Sequence, residues 1–511
     1  MKTVTVKTGA PTGAVISPAL HSQFIEHLGS CIYGGLWVGK DSPIPNIEGF
    51  RKDILEPLSA LRPPVIRWPG GCFADTYHWR DGIGKDRPVI FNGNFGTNRT
   101  EDNSFGTDEF MRLCALTGSK PWLNLNLLSG SVREAVEWAE YCNRTESTAL
   151  SDMRRKNGSD APYGVEMWGI GNEVWAGGGN MTPEDYASLY RRFASAMPHF
   201  TRPDGSPLPQ ACILSGPDGN KPKERVRWTR DLFKALARYR QPKLDAIDLH
   251  FYNWNVGPEA DEPDGFDEKG WYRVLRGAME IEGVILEQDA LIKEGLAGFP
   301  EPEGSFFPAP EPSCKLIIGE WGNWHQSTFR AKDALWQQCS MRDAVTSALT
   351  LDIFHRQADK LSAACCAQAV NVLNALFLTD GDRTVLTPHY YVYRMYMPHR
   401  GGNLLQTASD SPEKGGLPEV MATASEKDGE MTVSLVCTGY ASPCRVQLDL
   451  GREAEILSGE TLSAEHLTDC NPPEAPFRVV PRENRPVALE DGKFAATLPA
   501  GSVSVMRFRV Q

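Results

Sequence analysis

The sequence has few features that would direct a protein to a membrane or to a nucleic acid. No segment approaches the roughly 20 consecutive apolar residues that a membrane-spanning helix needs. Basic residues are outnumbered, with 53 Lys and Arg against 65 Asp and Glu, which gives a net charge of −12. A protein that binds a phosphate backbone usually presents a basic face. We therefore expect no membrane segment and no nucleic-acid partner.

Cysteine is also scarce for a chain of this length. Twelve cysteines in 511 residues are too few for a disulfide scaffold. Neither a Cys-x-x-Cys pair nor a His-Glu-x-x-His motif provides the spacing of a metal site. The first residues contain no continuous apolar stretch of the kind found in signal peptides. These features predict a cytoplasmic protein with reduced thiols and no bound metal.

Short apolar segments alternate with segments of helical length between about residues 20 and 397. The eight predicted strands are 23–27, 65–68, 122–127, 165–169, 212–215, 246–250, 315–319 and 362–369. The predicted helices are 51–60, 108–117, 131–143, 183–197, 224–240, 271–294, 333–358 and 388–397. Eight strand–helix units in series predict a (β/α)8 TIM barrel over 19–397. An open doubly wound sheet is the alternative, although the Gly-rich dinucleotide fingerprint after the first strand is missing.

The pattern changes after about residue 400. Short segments of alternating polarity are separated there by Gly, Pro and Asp, which predicts a small all-β sandwich over 398–511. Two stretches within the barrel predict long loops: 257–269 is acidic and rich in Gly and Pro, and 298–313 contains five prolines. The first loop follows strand six and either shapes a substrate cleft or is a solvated insertion.

Two glutamates follow predicted barrel strands. Strand four runs into Asn172-Glu173, and strand seven runs into Glu320-Trp321. Functional groups of a barrel come from the C-terminal ends of its strands, so two carboxylates are expected at the same mouth. A single acid at a strand end is often only a helix cap or a salt-bridge partner, but two of them, three strands apart, favour a catalytic pair.

A convergent carboxylate pair suits glycoside hydrolysis, in which one acid protonates the departing oxygen and the other stabilises or attacks the anomeric carbon. The proton donor needs a raised pKa, which an ionised neighbouring carboxylate supplies by repulsion. We predict that Glu320 is the nucleophile, because Arg67 at the end of strand two can pair with a carboxylate. His250 or Tyr252, at the end of strand six, could donate hydrogen bonds.

Aromatic residues crowd the same strand ends. They suit stacking on the apolar faces of sugars, or simply core packing, which we expect for at least half of them. The set is Trp37, Trp68, Tyr77, Trp79, Trp175, Tyr252, Trp254, Trp321 and Trp324. On strand eight, Gln368 and Asn371 lie among small apolar residues, and we expect Gln368 to contact a ligand. No cofactor is expected, because carboxylates alone suffice for this chemistry.

Six longer motifs occur in order along the barrel: FIEHLGSCIYGGLW (24–37), VIRWPGGCFADTYHWRDGIG (65–84), WGIGNEVWAGG (168–178), LHFYNW (249–254), GEWGNW (319–324) and QAVNVLNAL (368–376). Together they resemble the α-L-arabinofuranosidases of glycoside hydrolase family 51. The resemblance implies a retaining exo-enzyme with a (β/α)8 barrel and a β-sandwich of jelly-roll type. It also implies that residues 1–18 join the sandwich and that the protein is a homo-oligomer, often a hexamer.

The resemblance also implies roles for individual residues. Glu173 would be the acid/base and Glu320 the nucleophile, in agreement with the assignment made from the strand ends. Asn172 would bind the hydroxyl next to the anomeric carbon. The other implied contacts are Glu26 and Gln368 to further sugar oxygens, Arg67, His250 and Tyr252 to the nucleophile and its neighbours, and Trp324 to the pocket wall.

Two motifs depart from the family pattern. Many members have Asn where this chain has Cys72, so an amide contact to the sugar is replaced by a thiol or a backbone group. GEWGNW also stands where EWNVW is common. The leading hypothesis is release of terminal α-L-arabinofuranosyl residues from arabinan or arabinoxylan oligosaccharides by double displacement. The alternatives are a retaining glycosidase of another furanoside or of β-glucan or xylan, and a non-catalytic sugar-binding barrel, which would be expected to lose one acid.

Overall fold

A computed structural model describes residues 3–300 and 313–510. Eight parallel strands close into a barrel and follow one another around it in chain order. The chain forms two compact units, one of Ser22–Phe251 with Val284–Glu320, the other of Met1–His21, Tyr252–Gly283 and Trp321–Gln511. The predicted TIM barrel is therefore confirmed, and the open doubly wound sheet is excluded because the strand order closes on itself.

The barrel strands agree with the predicted segments in number and order, but strands five, six and seven are longer than predicted. They are Ser22–Phe24, Val65–Trp68, Lys120–Leu125, Met167–Ile170, Ala211–Asp218, Ala246–Asn255, Lys315–His325 and Leu361–Ala367. Strands six and seven extend five and six residues beyond the predicted ends at His250 and Gly319. Both extensions lie at the C-terminal ends of the strands, the side of a barrel that carries function.

Nine α-helices lie within the described residues. They are Lys52–Leu61, Thr107–Thr117, Val132–Asn143, Ala149–Lys156, Pro183–Ala196, Pro222–Leu236, Glu268–Ala297, Met341–Arg356 and Pro388–Tyr396. Eight correspond to predicted segments, although the predicted 333–358 helix begins only at Met341. The helix Ala149–Lys156 was not predicted, because it is short and strongly polar.

The helix Pro183–Ala196 shows how local sequence sets these bounds. The hydroxyl of Thr182 accepts a hydrogen bond from the backbone N–H of Asp185 at 3.2 Å, which caps the first turn. Pro183 occupies the first helical position, where its missing N–H costs nothing. Tyr186, Tyr190 and other buried residues recur at helical spacing and turn one face of the helix inward.

The C-terminal region forms one continuous ten-stranded sheet that includes the first strand of the chain. In spatial order the strands are Arg482–Glu483, Ala454–Leu462, Ser502–Val510, Glu430–Cys437, Val420–Lys427, Asn403–Ser409, Thr3–Val15, Cys444–Asp449, Lys493–Leu498 and Val487–Ala488. The first strand runs antiparallel to Asn403–Ser409 and parallel to Cys444–Asp449. Buried apolar residues from seven of the ten strands form a single core. The predicted all-β domain that recruits the N-terminal strand is confirmed.

Five short hairpins complete the described strands. They pair Asn46–Ile47 with Phe50–Arg51, Ile90–Asn92 with Arg99–Glu101, Phe200–Thr201 with Pro207–Leu208, Phe377–Asp380 with Arg383–Leu386, and Glu413–Lys414 with Leu417–Pro418. In the loop predicted at 257–269, Asp261 forms ion pairs of 2.7 Å with both Arg273 and Arg342, and these partly buried ion pairs hold the loop in place. Most of the other predicted loop, residues 301–312, lies outside the described part of the chain.

Candidate active site

The two glutamates predicted at the strand ends lie close together. Oxygens of Glu173 and Glu320 and a ring nitrogen of His250 all lie within 4.8 Å of one another. Retaining glycosidases hold their carboxyl groups about 5–5.5 Å apart, whereas inverting enzymes need room for a water between them. The Glu173 side chain is 19% exposed and that of Glu320 is 9% exposed. This separation suits direct attack by one carboxylate, with the more accessible one delivering a proton.

A tight turn after strand four positions Glu173. Gly171, with φ +87°, and Glu173, with φ +38°, both adopt left-handed backbone conformations. Such a conformation costs a non-glycine residue on the order of 1–3 kcal/mol and persists where surrounding structure enforces it. The enforcing contact is close, because a β-carbon at Gly178 would lie 1.8 Å from the carbonyl oxygen of Asn172. The following segment therefore folds tightly over the turn.

Arg67 joins strand two to strands four and seven. Its Nη1 donates to Glu320 Oε1 at 2.7 Å, and its Nη2 donates to Asn172 Oδ1 at 2.7 Å. The guanidinium is fully buried and lies over the rings of Phe24 and Trp122, at 4.6 and 5.3 Å from their centroids. A rigid fork of this kind fixes the orientation of both partners. The structure thus pairs Arg67 with the carboxylate of Glu320, as the sequence led us to expect, and adds Asn172 as a second partner that was not predicted.

His250 lies among three carboxylates. Its Nδ1 is 2.8 Å from Glu173 Oε1 and 3.5 Å from Glu320 Oε2, and its Nε2 is 3.2 Å from Asp248 Oδ2. Burial lowers the pKa of His250, but Glu320 and Asp248 outweigh burial and raise the pKa to about 10. The imidazole is therefore positively charged at neutral pH and donates from both nitrogens.

The electrostatic environment gives Glu173 the character of an acid. Its pKa is raised above the ordinary value, chiefly by burial, with a smaller contribution from Glu320 and an opposing one from His250. Repulsion by a neighbouring carboxylate, which the sequence led us to expect, is present through Glu320, although burial contributes more. A raised pKa favours the protonated form of Glu173, which is the form that a general acid requires.

The loop after strand two brings backbone close to both acids. Glu26 Oε1 accepts hydrogen bonds from the backbone N–H of Phe73 at 2.9 Å and from Asn94 Nδ2 at 3.1 Å. A β-carbon at Gly71 would lie 2.6 Å from Glu320 Oε1, and one at Gly70 would lie 2.5 Å from Glu26 Cγ. Both positions therefore require glycine.

Cys72 stands beside this backbone, with Asn172 Nδ2 at 4.0 Å from its sulfur. Burial and the nearby Glu173 and Glu26 raise the pKa of the thiol well above its ordinary value. The side chain is therefore a neutral thiol, which is a weak hydrogen-bonding group compared with an amide.

The three remaining predicted residues lie in the second unit. Tyr252 is buried and meets the Trp324 ring edge-on, with centroids 5.1 Å apart. Trp324 is 7% exposed, and its Nε1 donates to Thr328 Oγ1 at 2.9 Å. Gln368 follows strand eight directly and is buried, and its backbone N–H donates to the carbonyl of Val372 at 3.1 Å. Of the nine aromatic candidates, seven are buried and one, Trp254, is 47% exposed.

Two carboxylates near the site were not predicted from the sequence. Asp248 lies inside strand six, bonded to His250 and 3.8 Å from Arg67 Nη2. Its signal was a charged residue within the apolar run IDLHF, two positions before His250 and therefore on the same side of the strand. Asp75 is 1% exposed, and burial followed by Glu173 raises its pKa to about 8. No spacing rule in the sequence distinguished it.

Glu173, His250 and Glu320 also have the ligand types and spacing of a divalent-cation site. Arg67 and the charged His250 already supply the positive charge that a cation would bring to these carboxylates. The arrangement therefore fits proton transfer and nucleophilic attack. A parallel barrel that carries such a pair, one acid just after strand four and the other within strand seven, defines the class of the protein as a glycoside hydrolase.

Comparisons with known proteins specify the family. An intracellular exo-α-L-arabinofuranosidase of Bacteroides ovatus is 36% identical over 522 aligned residues, which cover 99% of this chain and 96% of that relative. The family models for an α-L-arabinofuranosidase 1 domain and an α-L-arabinofuranosidase C-terminal domain match residues 57–269 and 319–502. The chain belongs to the α-L-arabinofuranosidases of glycoside hydrolase family 51.

Solved structures agree with this assignment. The family 51 arabinofuranosidase of Xanthomonas axonopodis pv. citri superimposes with a TM-score of 0.88 at 32% identity, covering 99% of both chains. The arabinose complex of the Thermotoga maritima α-L-arabinofuranosidase gives a TM-score of 0.79 at 27% identity, also covering 99% of both chains. Among the described residues, no helix combines the length and apolar character needed to cross a bilayer.

Proposed function

We propose that this chain is a retaining, exo-acting α-L-arabinofuranosidase that removes terminal non-reducing α-L-arabinofuranosyl residues by double displacement. The observation that carries the proposal is the close spacing of Glu173 and Glu320, with Arg67 bonded to Glu320 at 2.7 Å. This spacing favours a covalent intermediate over attack by water from the opposite face.

In the first step, Glu320 attacks the anomeric carbon with a carboxylate oxygen. The bond from that carbon to the leaving oxygen breaks, and the leaving oxygen takes the proton of Glu173. Arg67 holds the attacking carboxylate in position, so no reorganisation is needed as the ester forms.

In the second step, the ionised Glu173 takes a proton from water while the water oxygen attacks the same carbon. The ester bond to Glu320 breaks and returns its electron pair to the carboxylate. His250 donates to Glu173 at 2.8 Å and stabilises the charge that appears there between the two steps. Two inversions at one carbon give net retention.

We assign the remaining predicted residues to sugar binding. The Nδ2 of Asn172 is directed to the hydroxyl beside the anomeric carbon, because its Oδ1 is already bonded to Arg67. The other proposed contacts are Glu26, Cys72, Tyr252, Trp324 and Gln368. Where many family members have the amide of Asn, this chain has the thiol of Cys72, which is a weaker hydrogen-bonding group. We expect one sugar hydroxyl to be bound less tightly as a result.

The direct test compares initial hydrolysis rates of an aryl α-L-arabinofuranoside by the wild type, Glu320→Gln and Glu173→Ala. We expect Glu320→Gln to lose several orders of magnitude. Sodium azide separates the roles: added to Glu173→Ala it should intercept the covalent intermediate and give the azide of retained configuration. Glu282→Gln, a glutamate paired with Arg356 elsewhere in the chain, is the matched control.

Two outcomes would contradict the proposal. An active Glu320→Gln enzyme would remove Glu320 from the nucleophile role. A wild type inert on the arabinofuranoside but active on another furanoside, on β-glucan or on xylan would replace the substrate assignment.

We further propose that the natural substrates are arabinan or arabinoxylan oligosaccharides and that the enzyme acts inside the cell as a homo-oligomer. The Bacteroides ovatus relative, described as intracellular, supports the location. An enzyme inside the cell meets short imported glycans rather than intact polysaccharide. Light scattering of the purified protein measures its oligomeric state.

A further inference from the structure

Two cysteines of the ten-stranded sheet lie with their sulfur atoms in contact. The thiol of Cys437 donates to the sulfur of Cys444, and the two Sγ atoms are 3.6 Å apart. Neither cysteine forms a disulfide, and both belong to the buried core of the sheet. A disulfide holds its sulfurs about 2.05 Å apart, so the contact must shorten by roughly 1.5 Å to become a covalent bond. We call Cys437 and Cys444 the sheet cysteine pair.

The two cysteines meet across the core of the sheet rather than along neighbouring strands. Cys437 is the last residue of the strand Glu430–Cys437, and Cys444 is the first residue of the strand Cys444–Asp449. Three other strands separate these two in the hydrogen-bonded order of the sheet. The sheet therefore curves around its core, so that side chains of distant strands touch. A bond between the two sulfurs would join the two sides of this core.

Hydrogen bonds fix the backbone that connects the two cysteines. The connection consists of residues 438–443. Trp271 Nε1 donates to the carbonyl oxygen of Thr438 at 2.8 Å, and the backbone N–H of Gly501 donates to the carbonyl oxygen of Gly439 at 2.8 Å. Because this backbone is held, the two sulfurs stay close to each other. A reaction between groups that are already held together is favoured over a reaction with a separate molecule.

Cys444 is the more reactive member of the pair. It is 7% exposed and directly follows the exposed residues 441–443, whereas Cys437 is fully buried. The hydrogen bond from Cys437 lowers the pKa of the Cys444 thiol, while the same hydrogen bond, together with burial, raises the pKa of Cys437. The thiolate is the form of cysteine that reacts with oxidants. A small oxidant should therefore react at Cys444 first.

We propose that the sheet cysteine pair is a redox modification site, which hydrogen peroxide converts into a disulfide that stabilises the sheet. The Cys444 sulfur attacks one peroxide oxygen, the O–O bond breaks, and the departing hydroxide takes up the proton that the Cys444 thiol released. The Cys437 sulfur then attacks the sulfur of the resulting sulfenic acid. The S–O bond breaks, and its oxygen leaves as water with the Cys437 proton. Two electrons pass from the sulfurs to the peroxide, and a dithiol reductant restores both thiols.

The bond should make the folded sheet harder to unfold. It closes a ring that runs from Cys437 to Cys444, eight residues in all, and so restricts the unfolded chain. In a reducing compartment the pair stays as two thiols, and the bond forms only when an oxidant is present. Oxidation then strengthens the sheet instead of damaging it.

Mass spectrometry of the full-length protein tests the proposal. The reduced protein is treated with hydrogen peroxide, its remaining thiols are alkylated under denaturing conditions, and the chain is digested with trypsin. Both cysteines lie in one tryptic peptide, residues 428–445. We expect this peptide to carry no alkyl group and to be lighter than the dithiol form by two hydrogen atoms. Treatment with dithiothreitol before alkylation should restore both labels.

Thermal unfolding measures the effect of the bond on stability. The oxidised wild type should have an unfolding midpoint about 2–4 °C above that of the reduced protein. Cys444→Ala should show no such difference, because it cannot form the bond. Cys470→Ala is the matched control, since Cys470 is 9% exposed and lies outside the pair, and it should behave like the wild type.

Three results would overturn the proposal. If peptide 428–445 keeps both labels at peroxide concentrations that oxidise other thiols of the chain, the pair is not a redox site. Sulfinic acid at Cys444 with a label still on Cys437 would show that the two sulfurs cannot close the bond. A disulfide that leaves the unfolding midpoint unchanged or lowers it would contradict the stabilising role. If Cys444→Ala does not fold, labelling and unfolding of the wild type before and after dithiothreitol decide between these outcomes.

Discussion

At the scale of single residues, Gly71 sets how closely the backbone approaches Glu320. A β-carbon there would lie 2.6 Å from Glu320 Oε1. We expect Gly71→Ala to displace the carboxylate and to lower kcat on the aryl arabinofuranoside by about 100-fold, because misplacing a reacting group by about 1 Å has effects of this size. The unfolding midpoint should change little.

Gly93→Ala is the matched control, since Gly93 has an ordinary φ of −98° and its nearest neighbouring atom to an added β-carbon is 3.6 Å away. Full activity of Gly71→Ala would mean that the Glu320 carboxylate can be displaced without a loss of activity. That outcome would contradict the view that its position is preorganised for attack.

The residues found from sequence are those whose role follows from their place on a strand. Glu173, Glu320, Arg67 and His250 were predicted because they stand at or just after the ends of the predicted strands, and the structure brings them together. Asp248 was missed because it lies within a strand, where a buried charge has no sequence signature apart from its neighbours. The close approach of Gly71 to Glu320 was equally invisible, because it depends on two chain segments 249 residues apart.

At the scale of elements, the helix Met341–Arg356 begins on a buried charge. Asp343 Oδ2 accepts from the backbone N–H of Ser340 at 2.9 Å, and its Oδ1 lies 2.8 Å from His325 Nε2. Burial alone would raise the pKa of Asp343, but His325 and Arg342 outweigh it and hold the pKa well below the ordinary range. The folded protein therefore holds this carboxylate ionised where the unfolded chain would begin to bind a proton.

Asp343→Asn should therefore lower the free energy of unfolding by about 3 kcal/mol at neutral pH, because it removes one partner of a buried pair. Since the folded pKa is depressed, this stabilisation is complete above the ordinary Asp range and disappears as the pH falls through the folded pKa. Urea denaturation of the wild type and of Asp343→Asn between pH 3 and 7 measures the difference in their free energies of unfolding. This difference should become smaller only at the acidic end of the range. As a control, Thr182→Ala removes the exposed cap of another helix. It should lower the free energy of unfolding by about 1 kcal/mol at every pH in this range. A difference that grows toward acid would contradict the assignment.

Element bounds were predicted where periodicity and capping agree. Pro183–Ala196 was located almost to the residue because Thr182 and Pro183 mark its start. The ends of strands six and seven were placed five and six residues early, because His250–Trp254 and Glu320–Trp324 alternate polar and aromatic residues in a way that resembles a strand end followed by a loop. Ring stacking between Trp254 on strand six and Trp324 on strand seven stabilises both extensions. This contact joins two separate segments of the chain, so the sequence of either strand alone does not predict it.

At the scale of the whole molecule, the sheet depends on a strand that is remote in sequence. Val4 and Val6 of the first strand are fully buried in the sheet core, opposite Val446 and Leu448. Val6→Asp places an unpaired charge there, which costs at least several kcal/mol. We expect poorly soluble protein and rapid proteolysis of the C-terminal region.

Thr3→Asp introduces the same charge on the exposed face of this strand and should leave solubility and proteolysis unchanged. Both variants can be compared by soluble yield and by limited trypsin digestion at equal expression. If Val6→Asp folds as well as Thr3→Asp, the first strand does not contribute to the sheet as described.

The position of this strand also has a consequence during protein synthesis. Val6 pairs with Ser409, about 400 residues downstream. At translation rates of about 5–20 residues per second, the first strand waits roughly 20–80 s for its neighbours to leave the ribosome. Throughout that time a β-strand with alternating valines has no partner, which is the state that ribosome-associated chaperones recognise. Leaving chaperones out of a cell-free synthesis should therefore lower the yield of folded enzyme. Slowing translation with chaperones present should lower that yield less.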